Sequence, residues 1–455
     1  MTTPAQADTC RVKPGASAAA DGASWATATS LQHALDEPLC TELWVAAGVY
    51  TPSVHYVVDG NGDDPADPRT ATFYVLPGKA VYGGFAGSES ERAQRDPASN
   101  LSVLSGDIDG NDAYDLFFPG IDPGFDAIQG NNAFHVVTMD GTTGTPLTLA
   151  TVLDGFVITG GSAGYPGGGG LLCSARSVAD ALCQPTLGHL LFIGNLTTYN
   201  GGALLNDAIY GGSASPYIHD SSFVGNGAHT PHGASKGGAI YNEGYGGQAS
   251  PLIINVTFTG NSAALGGALY NDGYGGLSSP LLQNVTFSGN RAGEPESDVA
   301  VSGSGGAVYN NAQGGISEPG FVNVILWGDA VGAGGSGAEV YNTTGDGNTA
   351  VPSFGHSIVA GSGGSGGAWD ASLGTDNGGN LDIDPLLGAL QYRSGFVPTM
   401  SLPFGSPAID AGDDGVCATT DARGVARPQG LHCDIGAFES DVIFAGGFDG
   451  PATGP

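Results

Sequence analysis

The sequence predicts an all-β fold, a single-stranded parallel β-helix with a short N-terminal cap helix and a C-terminal capping module. Three observations lead to this prediction. A fixed phrase recurs at a period of roughly 30 residues, which is typical of stacked repeat architectures. Short apolar runs rich in Val, Ile, Phe and Thr are bounded by Gly, Asn and Ser, as expected of short strands. Glycine accounts for 80 of 455 residues without a Gly-X-Y period, so a collagen helix is excluded.

The recurring phrase reads Phe-x-Gly-Asn, a variable gap, Gly-Gly-Ala, Tyr-Asn, a glycine-rich stretch, and then Ser-Pro or its equivalent. Its three clear copies begin at Phe223, Phe258 and Phe287, and the clearest repeats occupy residues 185–350. In a β-helix each strand pairs with its counterpart one coil away, at about 4.8 Å. Identical residues in successive copies are therefore expected to stack.

The stacking predicts structural rows of asparagine and phenylalanine. Asparagine side chains bonded along the axis satisfy turn backbone groups that would otherwise be buried without partners. One asparagine row is expected at Asn195, Asn226, Asn261 and Asn290, and a second at Asn206, Asn242, Asn271, Asn310 and Asn342. An inward aromatic row is expected at Phe192, Phe223, Phe258 and Phe287, with Leu326 in the last copy.

Four regions follow along the chain. Residues 1–40 are interpreted as an N-terminal cap with one helix near Ser30 to Glu37, and residues 41–400 as the β-helix. Residues 401–440 form a distinct module that is expected to cap the C-terminal end of the stack. Residues 441–455 are expected to be a mobile tail.

Charge and hydropathy exclude several classes of protein. Lys plus Arg is 12 and Asp plus Glu is 44, so the formal net charge is 12 − 44 = −32. This charge argues against nucleic acids and anionic membrane surfaces as partners. The sequence has no run of about 18 apolar residues, so no transmembrane helix is expected. We interpret the start of the chain as one from which a secretion signal has been removed, which predicts a secreted or cell-surface protein.

The six cysteines fall into three near-neighbour pairs, although fifteen connectivities are possible. Local pairing is favoured because each pair lies within one predicted module. The predicted disulfides are Cys10 with Cys40, Cys173 with Cys183, and Cys417 with Cys433. An even count with local pairing indicates an oxidising compartment.

The repeat phrase resembles the repeats of polymorphic outer-membrane-type proteins and of bacterial right-handed β-helix proteins. The resemblance is strong from Phe192 to Asn342, and it implies the right-handed form of the parallel β-helix. The phrases GSPAIDAG, TDARGVARP and CDIGAFE between Gly405 and Glu439 resemble the ending of secreted bacterial proteins of the choice-of-anchor Q class. These resemblances imply a fold and a Gram-negative surface location more than a reaction.

Two acidic loops are candidate calcium sites. Calcium takes six to eight oxygen ligands, and acidic residues at alternate positions can converge on one ion. An EF-hand is excluded because Thr70 and Phe118 stand where its bidentate glutamate would be. The alternative is a pair of solvated acidic turns. The predicted ligands are Asp59, Asn61 and Asp63 in the first loop, and Asp107, Asp109 and Asn111 in the second.

An insertion in one repeat is the candidate catalytic site. It adds His229, His232 and Lys236 to a chain with only three lysines, and His219 and Asp220 lie one strand earlier. Loops on a rigid scaffold commonly carry function. Two histidines and a lysine could supply a base and a charge stabiliser for proton abstraction next to a uronate carboxylate, or they could bind a transition metal. The alternative is a polar loop without chemistry.

The C-terminal module carries interleaved acids and arginines. Paired carboxylates could indicate glycosidase chemistry, but alternating arginines favour a structural hydrogen-bonded network. Its expected centre is Asp421, Arg423 and Asp434.

Three functions remain open. The first is an adhesin-like secreted or surface protein that binds an extracellular glycan or partner through exposed Tyr210, Tyr245 and Tyr274. The second is an enzyme, a polysaccharide lyase before a glycoside hydrolase, that acts on an acidic polysaccharide through the inserted loop. The third is a structural extracellular component. Calcium is the one cofactor expected, and the sequence does not decide whether the protein is an enzyme.

Overall fold

The computed structural model describes residues 8–58, 64–112, 128–230, 234–293, 302–345 and 348–441. Its largest element is a 16-stranded sheet, the long sheet, in which all pairs are parallel and strands from successive repeats are neighbours. The strands of the long sheet are Asp8–Val12, Cys40–Ala46, Gly48–Tyr50, Ala80–Phe85, Ser102–Ser105, Val152–Thr159, Thr186–Ile193, Tyr217–Val224, Leu252–Thr259, Leu281–Gln283, Thr286–Ser288, Gly320–Val322, Ile325–Leu326, Ser353–Gly355, Ile358–Val359 and Thr375–Asp376.

Two further parallel sheets complete the coil, and we call them the second and third sheets. The eight-stranded second sheet contains Phe73–Tyr74, Val137–Asp140, Leu171–Ser174, Leu204–Asp207, Ile240–Glu243, Leu269–Asp272, Val308–Asn311 and Val340–Asn342. The six-stranded third sheet contains Ser162–Ala163, Leu196–Thr197, Gly227–Ala228, Ser262–Ala263, Arg291–Ala292 and Ala330–Val331. The predicted right-handed parallel β-helix is confirmed. No helix in the described ranges is long and apolar enough to cross a membrane.

Smaller elements lie at the turns and ends. One short pair of parallel strands joins Leu182–Cys183 to Ser213–Ala214, and two antiparallel pairs join Thr344–Gly345 to Asn348–Thr349 and Leu390–Gln391 to Thr399–Met400. The described helical segments are the α-helix Leu31–Asp36 and the 3-10 turns Trp25–Thr27, Pro68–Thr70, Arg92–Gln94 and Gly141–Thr143.

The phenylalanine row forms the centre of the apolar core. The ring centroids of Phe192 and Phe223 are 4.6 Å apart, those of Phe223 and Phe258 are 5.0 Å apart, and those of Phe258 and Phe287 are 4.6 Å apart. All four side chains are fully buried. Leu326 pairs with Phe287 on the next strand, as the sequence predicts. The repeat spacing therefore places one aromatic ring on each coil.

Both asparagine rows lie where the repeats place them. In the first row, Asn195 Nδ2 donates to Asn226 Oδ1 at 3.0 Å, and the same bond recurs along the row. In the second row the corresponding bonds are 2.7–2.8 Å long and run from Asn206 through to Asn342. The Oδ1 atoms of Asn226, Asn261 and Asn290 also accept the backbone N–H of the preceding asparagine, and Asn195 Oδ1 accepts that of Gly161. The rows therefore bond successive coils to one another inside the protein.

The N-terminal region joins the β-helix earlier than the sequence suggests. Asp8–Val12 already pairs in parallel with Cys40–Ala46, so the first strand lies within the predicted cap. The following helix, Leu31–Asp36, buries Leu31, Ala34 and Leu35 against the end of the core. Lys79 Nζ donates to the carbonyl oxygens of Ala34, Glu37 and Cys40, which satisfies groups at the end of the helix.

The three predicted disulfides are confirmed. They join Cys10 to Cys40, Cys173 to Cys183, and Cys417 to Cys433, and no cysteine of the described ranges is left free. Each closes a loop within one region of the chain, at separations of 30, 10 and 16 residues.

The first asparagine row ends on a buried carboxyl pair. Asn290 donates its backbone N–H and its Nδ2 to Asp329 Oδ1, at 2.7 and 2.8 Å. Asp329 and Glu339 are both buried, with exposed fractions of 7% and 5%. Burial and the neighbouring Asp329 carboxylate raise the pKa of Glu339 far above its ordinary value of 4.5. Glu339 therefore keeps its proton at neutral pH and shares it with Asp329.

We expect this pair to weaken the fold as pH rises. The folded state binds a proton more tightly than the unfolded chain, so the stabilisation is complete below pH 4.5 and is lost progressively above it. The free energies of unfolding from urea titrations at pH 5 and pH 9 should differ less in Glu339→Gln than in the wild type, by on the order of 1–3 kcal/mol. The same pH dependence in both proteins would contradict the assignment.

The C-terminal segment, residues 394–440, lies along the side of the long sheet. The sequence predicts a module that closes the end of the stack. In the structure the segment instead contacts five successive coils, through Ser222, Asn255, Asn284, Asn323 and His356. Apolar side chains of the segment, such as Phe396 and Val397, pack on the outer face of the sheet. The segment docks there because the strands of the long sheet are bent and direct polar side chains outward, and these side chains form hydrogen bonds with the segment.

Candidate functional site

A row of left-handed residues bends the strands of the long sheet near their middle, and we call it the left-handed row. These residues have φ between 45° and 56°, a region that Asn, Asp and His enter more readily than most residues. Each bend turns the strand and directs one polar side chain to the outside of the β-helix. The row contains His189, Asp220, Asn255, Asn284, Asn323 and His356.

The C-terminal segment covers one part of this row. Asn284 accepts the N–H of Ala418 and donates to the carbonyl of Asp434, and Asn323 accepts the N–H of Asp413 at 2.7 Å. Asn255 likewise donates to the carbonyl of Thr420. The asparagines of the row therefore serve as anchors for the segment.

The other part of the row borders an open cleft of about 780 Å³. One wall is formed by the turn at residues 92–98, and the opposite wall by the C-terminal segment. His189 lies between the walls. The lining residues are Glu42, Arg92, Ala93, Arg95, Asp96, Pro97, Ala98, His189, Ser394, Gly395, Phe396 and Arg423.

The arginines of the cleft are held in place by carboxylates and one aromatic ring. Arg92 Nη1 lies 3.1 Å from Glu42 Oε2, and its guanidinium lies 4.5 Å from the centre of the Tyr82 ring. Arg95 forms an ion pair with Asp154 and donates to the carbonyl oxygen of Gly83. The Arg92 side chain is 49% exposed, whereas that of Arg95 is 16% exposed. Arg92 is therefore the arginine that an incoming ligand reaches first.

A chain of ionisable groups runs from Arg95 along three neighbouring coils. His189 Nδ1 donates to Asp154 Oδ2 at 3.1 Å, which directs His189 Nε2 toward Asp220 Oδ2, 4.0 Å away. His219 Nδ1 lies 2.7 Å from the same Asp220 oxygen. The two imidazole rings meet edge to face, with centroids 5.6 Å apart. Two histidines and two carboxylates thus lie next to one another beside the cleft.

These contacts shift the pKa values of two groups. Burial by itself raises the pKa of Asp154, but the hydrogen bond and charge of His189, together with Arg95, outweigh it and lower the pKa. Burial opposes a charge on His189, yet Asp154 and Asp220 outweigh it and raise the His189 pKa. Asp154 is therefore ionised at neutral pH and can hold His189 by a charge-assisted hydrogen bond.

His229 and Lys236, two of the three predicted catalytic residues, do not line the cleft. Lys236 Nζ lies 3.0 Å from Asp272 Oδ2 and above the rings of Tyr241 and Tyr270, on the face of the second sheet. His229 Nε2 lies 3.1 Å from Ser262 Oγ, and burial lowers its pKa to about 4. His232 lies outside the described residues. The ammonium group that the lyase hypothesis needs is thus engaged in an ion pair.

The three predicted ligand-binding tyrosines form a continuous surface row, which we call the tyrosine row. The ring centroids of Tyr210 and Tyr245 are 5.1 Å apart, as are those of Tyr245 and Tyr274. Tyr210 is 65% exposed and Tyr274 is 43% exposed. The rings are tilted or perpendicular to one another, so they offer edges as well as faces to a ligand.

In the second predicted calcium loop, two of the predicted ligands, Asp107 and Asp109, accept hydrogen bonds from backbone N–H groups. Asp107 accepts the N–H groups of Gly110, Asn111 and Asp112, at 2.8–3.1 Å. Asp109 accepts the N–H of Asn131 at 3.0 Å. Asp59, Asn61 and Asp63 of the first loop lie outside the described residues. Calcium binding stays a prediction.

The predicted network of the C-terminal module contains two buried ion pairs. Asp421 pairs with Arg423 at 2.7 Å, and Arg427 pairs with Glu439 at 3.0 Å. Asp434 accepts the N–H groups of Asp410 and Ser440 and has no ion pair among the described residues. The Arg427–Glu439 pair, with both side chains 0% exposed, is thus the most deeply buried part of the network.

Sequence reasoning missed Arg92, Arg95, Asp154 and His189. One signal could have found part of the site. The bent position is Asn255, Asn284 and Asn323 in three successive coils, but His189 and Asp220 in the two coils before them. That departure coincides with the end of the row at which His189 lines the cleft.

Comparisons with known proteins define the repeats but not an activity. The family model of the Chlamydia polymorphic membrane protein repeat matches residues 220–243, 255–272 and 284–311, which confirms the resemblance drawn from the repeat phrase. The chain therefore carries repeats of this type on a parallel β-helix. No curated protein matches the chain. The C-terminal resemblance to the choice-of-anchor Q class stays a prediction.

One solved structure matches along nearly the whole chain. The crystal structure of pectate lyase Pel9A is 15% identical, with 95% of this chain and 96% of that chain covered, and the TM-score is 0.42. A likeness at this level does not bear on function.

Proposed function

We propose that this protein is a secreted or cell-surface β-helix protein that binds an extracellular glycan in the cleft. The observation that carries the proposal is the cleft itself, which is polar and has a volume of about 780 Å³. It lies between two segments that the rigid β-helix holds in place. The name of the matched repeat family and the three disulfides support an extracellular surface location.

The chemistry of the walls suits hydroxyl groups. Sugars present donors and acceptors together, and the cleft offers the partly exposed guanidinium of Arg92 beside the carboxylate of Glu42. The arginines are already paired with Glu42, Asp154 and Asp421, so the walls carry no surplus of positive charge. Polyphosphates are therefore poor candidates as ligands. A glycan hydroxyl group can donate to a carboxylate such as Glu42 and accept from a guanidinium such as Arg92.

The tyrosine row is a second possible contact surface for the same ligand class. Tyrosine supplies a flat apolar ring with a polar tip at a low entropic cost. The row belongs to the glycine-rich turns, while the cleft lies on the long sheet, so the two surfaces can be tested separately.

We expect Arg92→Ala to weaken glycan binding at least about tenfold, because it removes a charge-assisted donor from the exposed wall. A glycan array would first identify a ligand, and isothermal titration would then compare the wild type and the variant. Arg291→Ala is the matched control, since Arg291 is exposed on the third sheet. Equal affinity of Arg92→Ala and the wild type would contradict the proposal. A loss confined to a triple Tyr210, Tyr245, Tyr274→Ala variant would move the site to the tyrosine row.

Two alternatives stay open as proposals. A lyase acting on an acidic polysaccharide would release unsaturated products, detectable by absorbance, and Lys236→Ala would abolish them. A structural role predicts neither binding nor cleavage. The ion pair of Lys236 with Asp272 gives the lyase less support than the cleft gives to glycan binding.

A further inference from the structure

We propose that His189, His219 and Asp220 form a binding site for one divalent transition metal ion, such as Zn²⁺, at the edge of the cleft. One ligand atom from each of the three residues lies within 4.8 Å of the others. Imidazole nitrogen and carboxylate oxygen are ligands that zinc takes at about 2.0–2.2 Å. The proposal does not depend on glycan binding.

The separations between these ligand atoms are close to those around a coordinated ion. A tetrahedral zinc site places neighbouring ligand atoms about 3.4 Å apart. His219 Nδ1 and Asp220 Oδ2 are 2.7 Å apart, and His189 Nε2 and Asp220 Oδ2 are 4.0 Å apart. Movements of less than about 1 Å in these side chains would bring both distances to the coordinated value.

A carboxylate outside the site orients the first ligand. Asp154 accepts the Nδ1 proton of His189, so the other ring nitrogen, Nε2, is the one directed toward Asp220. Arg95 holds Asp154 in turn. Metal-binding histidines commonly donate their second ring nitrogen to a carboxylate in this way. Asp220 is fixed similarly, because its other oxygen accepts Asn255 Nδ2 at 2.9 Å.

A glycine on the strand beneath the site leaves room for the ligand side chains. Gly188 lies between Asp154 and His219 on neighbouring strands. A Cβ at this position would lie 2.6 Å from His219 Nε2 and 2.7 Å from Asp154 Oδ2. Gly188 is not among the residues with positive φ, so its missing side chain provides room and is not needed for the backbone conformation.

Comparison along the repeat indicates that the fold does not require histidine or aspartate at positions 189 and 220. Asparagine satisfies the left-handed conformation at Asn255, Asn284 and Asn323, where it also anchors the C-terminal segment. His189 and Asp220 replace asparagine in the two preceding coils, where their side chains bond to Asp154, His219 and Asn255. His189 also lines the cleft, so an ion held there would have an open coordination position facing it.

The test is a titration of the full chain with Zn²⁺, without glycan, by calorimetry and by competition with a chromogenic chelator. We expect one saturable site in the wild type and at least tenfold weaker affinity in Asp220→Asn and His189→Asn. Both variants introduce the residue that the row carries elsewhere, so they are expected to fold. Gly188→Ala should weaken binding by displacing His219 while retaining all three ligands.

His356→Asn is the matched control, because His356 occupies the same row on a covered coil and contacts Ala411. It should bind Zn²⁺ like the wild type. Absence of a saturable site in the wild type, or wild-type affinity in both Asp220→Asn and His189→Asn, would overturn the proposal. Melting curves of each variant distinguish a lost site from a lost fold. Because no glycan is present, failure here leaves the glycan proposal to its own test.

Discussion

Asn261→Ala is expected to destabilise the β-helix by about 3–5 kcal/mol, a large effect for one substitution. Asn261 is fully buried, and its Oδ1 accepts both the backbone N–H and the Nδ2 of Asn226, each at 3.0 Å. Its Nδ2 donates to the carbonyl of Phe223 and to Asn290 Oδ1. Alanine would leave these four groups without that partner in a dry interior, where each unmade bond costs about 1–3 kcal/mol before relaxation.

Urea unfolding followed by circular dichroism measures this loss. Because the stability of a stacked fold depends on neighbouring coils, hydrogen exchange near Phe223 and Phe287 should show where the weakening is centred. Asn348→Ala is the matched control, since Asn348 is exposed, and it should stay within about 0.5 kcal/mol of the wild type. A change below about 1 kcal/mol in Asn261→Ala would mean that the row is not a major stabilising element.

The contacts inside the β-helix could be predicted from sequence because they join equivalent residues of successive repeats. Asn226 and Asn261 occupy the same place in successive phrases, and parallel pairing converts that spacing into contact. Phe223 and Phe258 stack for the same reason. Where the phrase fades the row can still be followed, since Asp329 continues the first asparagine row as an acceptor.

The cleft could not be predicted in the same way, because its contacts do not follow the period. Arg95 reaches Asp154 across 59 residues, and both lie before the clear repeats begin. The opposite wall comes from the C-terminal segment, whose docking along the side of the sheet leaves no periodic signal. The only local sign was the replacement of asparagine by His189 and Asp220 in the left-handed row.

The sequence predicts a hydrogen-bonded network in the C-terminal module, and the structure contains one. It does not predict the partners of Asp434. Asp421 and Arg423 pair as expected, and the Arg423 guanidinium also lies 3.6 Å from the centre of the Phe438 ring. Asp434 instead accepts backbone N–H groups. A list of alternating charges cannot say which acid each arginine meets, because the loops between them set that choice.

Glu439→Ala is expected to detach the C-terminal segment from the long sheet, at a local cost of about 3–5 kcal/mol. Glu439 Oε2 pairs with Arg427 and accepts the N–H of Asp434, and its Oε1 accepts the N–H of Gln429. Removing the carboxylate would leave the Arg427 guanidinium buried without its counter-charge. Limited proteolysis and hydrogen exchange over residues 394–440 measure the detachment directly.

His432→Ala provides the control within the same segment, since its ion pair with Asp414 is exposed and should contribute nothing measurable. A double Arg427→Met, Glu439→Leu variant should recover only the part of the loss that comes from the uncompensated charge, because the backbone groups that bond to the two side chains stay unpaired. If Glu439→Ala left proteolysis unchanged, the apolar contacts of Phe396 and Val397 would be sufficient to hold the segment. If the segment is released as expected, the cleft loses one wall, and glycan binding should fall with it while the asparagine rows keep their protection from exchange.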